Sequence, residues 1–268
     1  MIRVAIHSAP RSGSTWLGCI LDSVPEVAYK YQPLFSYAFK NYLTVDSTQE
    51  DIINFFEQIE ESKDEFINQF EKKEKAVIPI FTKSENITHI VYKEVRYHNI
   101  LQNLLEKDPH IKVIGLVRNP LSVINSWLRA PKEFRSDLGW NIQAEWLNAP
   151  KKNKGLHEEY NGFEKWKEIA YLFEDLQKKY MNRFYLLTYD ELLNNTKLSI
   201  SKLFDFVDLK LNDQTISFLN QSKNIAGTDA YGVFRIKDND NDWQQYLPTN
   251  IVEYIQKDLS NTQLAKYL

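Results

Sequence analysis

The sequence predicts an α/β fold of three layers, a central and mostly parallel sheet flanked by helices, on three observations. Two stretches, RVAIHSAPRSGSTWLGCIL (3–21) and VIGLVRNPLSVINSW (113–127), each run from a β-branched apolar segment through a short turn into a helical segment. Elsewhere, short apolar runs alternate with segments of helical spacing, the pattern of parallel strands joined by crossover helices. No repeat, low-complexity tract or linker divides the 268 residues. A single domain over 1–268 is therefore expected, with helical insertions at about 36–75 and 129–158.

Residues 2–8 read as a buried parallel strand, because small and β-branched residues run almost without interruption. Ser14 or Thr15 then opens a helix to about Asp22. VAYKYQPLF (27–35) alternates as a second strand that stops before Pro33. TQEDIINFFEQIEE (48–61) and KDEFINQFEKK (63–73) have the spacing of surface helices with solvated charges. KAVIPIF (75–81) and ITHIVYKEV (87–95) are strand candidates separated by a polar turn. NILQNLLEKD (99–108) is helical and stops at Pro109. IKVIGLV (111–117) is the second strong core strand, and a helix starts near Pro120, where a missing N–H costs nothing. A long helix over about 160–180 precedes the strand RFYLLTY (183–189). The last third is mostly helical apart from the loop GTDAYGVFRIKDNDNDW (227–243).

Composition narrows the function classes. A net charge of −3 offers no global attraction to nucleic acid or to an anionic membrane, so an anionic ligand must be drawn in by local arginines and helix ends. The single cysteine, Cys19, excludes an internal disulfide and cannot by itself build a metal site; no metal is expected. No apolar run reaches the ~18 residues of a membrane span, and the N-terminus lacks the pattern of a signal peptide. A cytoplasmic protein without nucleic-acid partners is the expectation. The aromatic share of 13% suits sugars and flat rings, but core packing explains it equally.

Both strand–turn–helix junctions ask for phosphate. SAPRSGST (8–15) overlies the nucleoside-triphosphate pattern G-x-x-x-x-G-K-[ST], with Gly13 at the second glycine and Thr15 at the last hydroxyl. Ser14 stands where that pattern has lysine, and the cation has moved into the loop as Arg11. Backbone N–H groups at a helix start still suit an anion, although a plain capped turn fits the same letters. In the second junction, Arg118 ends a buried strand and Ser126 lies eight residues on, two helical turns away. A guanidinium can grip a phosphate through two parallel hydrogen bonds.

Together the two junctions resemble the sulfotransferases that use 3′-phosphoadenosine-5′-phosphosulfate (PAPS). PRSGSTWL (10–17) is similar to their 5′-phosphosulfate loop and RNPLSVINS (118–126) to their 3′-phosphate motif. YKEVRYHNILQNLLEKDPHIKVIGLVRNP (92–120), LLTYDELLNN (186–195) and NDWQQYLPTNIVEYIQ (241–256) extend the resemblance, closest to the carbohydrate branch. It implies a P-loop-like fold and transfer of the sulfuryl group of PAPS to a hydroxyl or amine of a carbohydrate, glycolipid or other small metabolite. The implied donor-binding residues are Arg11, Ser12, Gly13, Ser14, Thr15, Trp16, Arg118, Ser126 and Tyr189, with Arg235 from the late loop.

The same resemblance implies roles for Arg11 and Lys93 at the transferring group. The base is less direct. The carbohydrate branch has a glutamate where this chain has Gln32, which takes no proton, so Glu94, after Lys93, is the candidate. A salt bridge of Glu94 with Arg96 or Lys93 is the competing reading. His7 reads as a packed core histidine and His98 as a helix cap or second candidate. Residues 129–158 are expected to cover the acceptor, with Trp140 and Trp146 either stacking on a sugar or packing inward. A P-loop kinase and a catalytically inactive PAPS-binding module are the rival functions.

Overall fold

The computed structural model describes residues 1–225, 232–234 and 239–268. Its centre is a five-stranded, wholly parallel sheet: β1 (Ile2–Ser8), β2 (Val27–Tyr31), β3 (His89–Glu94), β4 (Lys112–Val117) and β5 (Phe184–Thr188), in the order β2-β3-β1-β4-β5. The first junction gives α1 (Ser14–Asp22), and the first insertion gives α2 (Gln49–Glu61), α3 (Glu65–Asn68) and α4 (Phe70–Glu74). Helix α5 (Leu101–Lys107) leads to β4, and α6 (Pro120–Leu128) follows it. Then come α7 (Ile142–Glu145), α8 (Phe163–Lys179), α9 (Tyr189–Asn194), α10 (Thr196–Phe206), α11 (Asp213–Asn224), α12 (Trp243–Tyr246) and α13 (Thr249–Leu259). No helix of the described residues is long and apolar enough to cross a membrane.

Alternation along the strands sorts the core into two layers. Ala5, Tyr92 and Val113 point to one face, where Phe55 and Phe56 of α2, Leu104 of α5, Phe173 of α8 and Ile255 of α13 cover them. Val4, Ile6, Val91 and Ile114 point to the other, under Leu17 of α1, Leu203 of α10 and Phe218 of α11. Buried on both sides, the strands need apolar residues at nearly every position, which is how β1 and β4 read. At Gly115 an added Cβ would come within 2.7 Å of the Phe184 ring, so this glycine lets the aromatics lie flat on β4.

Two expectations change. KAVIPIF is not a strand: α4 ends at Glu74, a turn at Ala76 takes a positive φ of 52°, and the rest runs as irregular chain. Only Ile78 of its apolar residues is fully buried, and the sheet edge it would have joined is β2. The segment 129–158 is helical only over Ser136–Leu138 and Ile142–Glu145.

Under the first junction lies a buried polar pair. His7 Nδ1 and His98 Nδ1 are 3.0 Å apart, so one imidazole donates and the other, which must be neutral, accepts. Burial pushes His98 down to about 3 and holds His7 well below the usual imidazole range, the nearby His98 adding to the effect. At these two imidazoles the unfolded chain therefore binds more protons than the folded one below about pH 6.5. The stability is present above that pH and lost as pH falls toward 3, by about 1.4 kcal/mol per unit for each imidazole. The unfolding midpoint of the parent should fall more between pH 6.5 and 5 than that of His98→Asn, the difference being the share of this imidazole. An equal fall in the variant would remove the pair as its cause.

Candidate active site

Strands β1 and β4 are neighbours, Ser8 pairing with Leu116, but their connections leave in opposite directions across the sheet. This is the switch point at whose carboxyl edge open α/β sheets bind ligands. Both phosphate-seeking junctions sit there. After β1 the chain turns through Arg11 (φ 69°) and Gly13 (φ 92°), both left-handed, into α1. No side chain caps α1, whose Trp16 N–H already donates to the Gly13 carbonyl at 3.0 Å. At Gly13 a Cβ would lie 2.5 Å from the Tyr189 ring, which decides for glycine there on space as well as on φ.

Arg118 follows β4 and spans the gap. Its Nη1 donates to the carbonyl of Arg11 at 2.6 Å, its Nε donates to Asp240 Oδ2 at 2.7 Å, and its Nη2 to Asp240 Oδ1. Its guanidinium lies 4.8 Å from the centre of the Tyr189 ring. Arg11 Nε donates to Ser126 Oγ on α6 at 3.2 Å, and Arg11 Nη1 meets Glu133 Oε1 at 3.4 Å. The two anion cradles are thus tied together through Arg11.

They open into one cleft of about 390 Å³, within the ~300–1,000 Å³ usual for small-molecule sites. Gly13, Ser14, Thr15, Trp16, Arg118, Ser126 and Tyr189 line one part of it with Lys223. Trp16 and Tyr189 meet edge-on, ring centres 6.3 Å apart, and Trp16 Nε1 donates to Ser222 Oγ at 3.0 Å. Ser12 is fully buried behind the loop, its hydroxyl unpartnered, and does not line the cleft. Arg235 lies outside the described residues.

The other part is walled by Tyr31, Gln32, Phe35, Lys93, Arg96 and Lys152. Lys93 points its ammonium at the Tyr31 ring, 4.2 Å away, and burial pushes its pKa down. Arg96 stacks on Phe35 at 4.1 Å. Burial also lowers Lys152, and its nearest positive neighbour, Arg96, adds to that. Seven cationic side chains, Arg11, Lys93, Arg96, Arg118, Lys132, Lys152 and Lys223, line the cleft among the described residues. Among the described residues one carboxylate, Glu133, lines the cleft with them, and Asp240 meets Arg118 beside it. An anionic ligand is what such a lining attracts.

Glu94 is placed differently from the expectation. Successive strand side chains alternate, so with Lys93 in the cleft, Glu94 points the other way. It is fully buried, does not line the cleft, and its Oε1 accepts the Leu34 N–H at 2.8 Å. Burial raises its pKa, and no salt bridge joins it to Arg96 or Lys93. His98 is neither cap nor cleft residue, because it pairs with His7 beneath the sheet. Trp146 packs on Phe163 and Trp140 on Phe134, and neither lines the cleft. The 129–158 segment does supply it with Lys132, Glu133 and Lys152, which sequence reasoning missed because isolated charges in a loop carry no periodic signal.

The family model of the sulfotransferase domain matches residues 2–266. The chain belongs to that family. Solved structures with the same fold include a mouse sulfotransferase complexed with PAP, 15% identical, TM-score 0.55, covering 99% of this chain and 86% of that one. Retinol dehydratase in a complex with retinol and PAP is 17% identical, TM-score 0.54, with 98% and 82% covered. The sulfotransferase domain of the Synechococcus PCC 7002 olefin synthase is 16% identical, TM-score 0.53, with 97% and 94% covered. No curated protein sequence matches. At these identities the solved structures speak for the fold of this sulfotransferase, while its own residues must speak for its site.

The tight seat of Gly13 can be tested directly. Gly13→Ala should cost about 1–3 kcal/mol, visible as a lower unfolding temperature, because it adds a Cβ both to a left-handed backbone and against the Tyr189 ring. An unshifted transition would show that the loop relaxes freely.

Proposed function

We propose that this sulfotransferase binds PAPS across the two cradles and passes its sulfuryl group to a hydroxyl or amine of a carbohydrate, glycolipid or other small metabolite. The observation that carries the reading is the junction of Arg118 with the Arg11 carbonyl at 2.6 Å. It joins two strand-to-helix turns along one cleft that seven cationic side chains line among the described residues, which supports an anion at each turn. A donor with phosphate at two separate positions needs that arrangement, whereas a triphosphate chain needs one loop and the lysine that Ser14 replaces.

The donor supplies a sulfuryl group already attached to a phosphate leaving group. The chain supplies position and charge. The amides of Gly13, Ser14 and Thr15 and the positive end of α1 hold the 5′ end, and Arg11 neutralises charge as it builds on the leaving phosphate. Lys93, whose ammonium lines the cleft against the Tyr31 ring, offers a second donor on the sulfuryl side. Arg118 and Ser126 hold the 3′-phosphate and set the register, with the Asp240 carboxylate keeping the guanidinium oriented. Trp16 and Tyr189 form the wall against which the adenine lies. Holding both reactants in line is the main contribution to the rate.

Calorimetry with adenosine 3′,5′-bisphosphate tests the reading. Binding should persist in a chelator, and Arg118→Ala should weaken it by about 3 kcal/mol, on the order of 100-fold, through loss of charge-assisted hydrogen bonds. Equal affinity in parent and variant would remove Arg118 from the donor site.

A further inference from the structure

Sulfuryl transfer to a hydroxyl requires somewhere for the proton to go, and the residues singled out in the sequence do not provide it. Gln32 lines the cleft but has no basic atom. Glu94 faces away from it and is engaged by the Leu34 N–H. His7 and His98 share a hydrogen bond below the sheet and are closed to solvent. Resting on the donor reading above, we propose that Glu133, in the turn after α6, is the catalytic residue that accepts the acceptor's proton.

Its position supports this. Glu133 is the one carboxylate lining the cleft among the described residues, and a quarter of its side chain is exposed. It sits at the boundary between the two halves of the site. Arg11, from the phosphate loop, is 3.4 Å from its Oε1. On the acceptor side its charge acts on Lys93 at the end of β3, Tyr31 at the end of β2 and Lys152 of its own segment, and Lys132 precedes it in the chain. In this proposal the acceptor oxygen approaches sulfur from the side of Lys93 and Tyr31, opposite the leaving phosphate, where this carboxylate takes its proton.

The turn is also held firmly. Glu133 N and Phe134 N both donate to the Ala130 carbonyl at 2.8 Å. Phe134 is buried edge-on against Trp127 and Trp140 at 5.7 and 5.8 Å. Trp140, one of the two aromatics expected to meet a sugar, instead helps anchor the backbone that presents Glu133. A carboxylate that must meet the substrate within hydrogen-bond reach gains from such a fixed base.

The step balances as follows. The acceptor O–H gives its proton to a Glu133 oxygen while the acceptor oxygen forms a bond to sulfur. The bond from sulfur to the bridging oxygen of the 5′-phosphate breaks with its electron pair staying on that oxygen. Adenosine 3′,5′-bisphosphate departs beside Arg11, and Glu133 releases the proton to water.

The probe is sulfur-labelled PAPS with water as the acceptor, read as free sulfate over a range of pH, on the full chain. Glu133→Gln should slow release by at least about 100-fold and lose the acid limb of the rate profile, and Glu133→Asp should recover part of both. Calorimetric affinity of Glu133→Gln for adenosine 3′,5′-bisphosphate should stay within about threefold of the parent, and its unfolding temperature should be unchanged. Release at the parent rate with the parent pH profile would overturn the proposal. So would affinity falling in step with rate, since Glu133 would then serve only to hold Arg11. Failure of the parent to bind adenosine 3′,5′-bisphosphate would instead overturn the donor reading on which this rests.

Discussion

The site depends on one hydrogen bond, from the Arg118 guanidinium to the Arg11 carbonyl. It exists because β1 and β4 run side by side in register, Ser8 beside Leu116, so the turns that leave them emerge at the same height. Arg11 holds a left-handed φ that a residue with a Cβ adopts reluctantly. That conformation is sustained by Arg118 at its carbonyl and by Ser126 at its side chain. Strain of this kind persists only where the surroundings over-determine it.

Electrostatics gives the cleft its character. The chain as a whole is slightly acidic, yet the walls around this opening are cationic. Burial makes that concentration costly, which is why the pKa values of Lys93 and Lys152 are depressed. An arriving anion relieves both the desolvation and the mutual repulsion. Attraction is therefore strongest where the ligand is most completely enclosed. Asp240 meets part of the same demand within the chain, filling two of the donors of Arg118.

Much of this was legible from local pattern. The strands β1 and β4 and the starts of α1 and α6 are written in contiguous letters, because the β-branched run, the glycine and the N1 proline act on their own neighbourhood. KAVIPIF misled because β-branched letters alone do not supply a partner strand, and the sheet ends at β2. Glu94 misled for a related reason. Adjacent residues on a strand face opposite sides, so closeness in sequence to Lys93 meant distance from the cleft. Trp140 and Trp146 were read as either wall or core, and only their neighbours Phe134 and Phe163 decide for core.

By itself, then, the sequence determined the layered α/β class, the two anion-seeking turns and the residues at their tips. These rest on interactions within a few residues, where spacing and residue type suffice. Tertiary structure alone decided that the two turns share a cleft, that His7 and His98 pair beneath it, and that Glu133 rather than Glu94 faces the cations. Those outcomes join residues up to 122 positions apart, Arg11 and Glu133 among them. Their meeting is set by strand order and by which side of the sheet each side chain takes, and no local pattern encodes either.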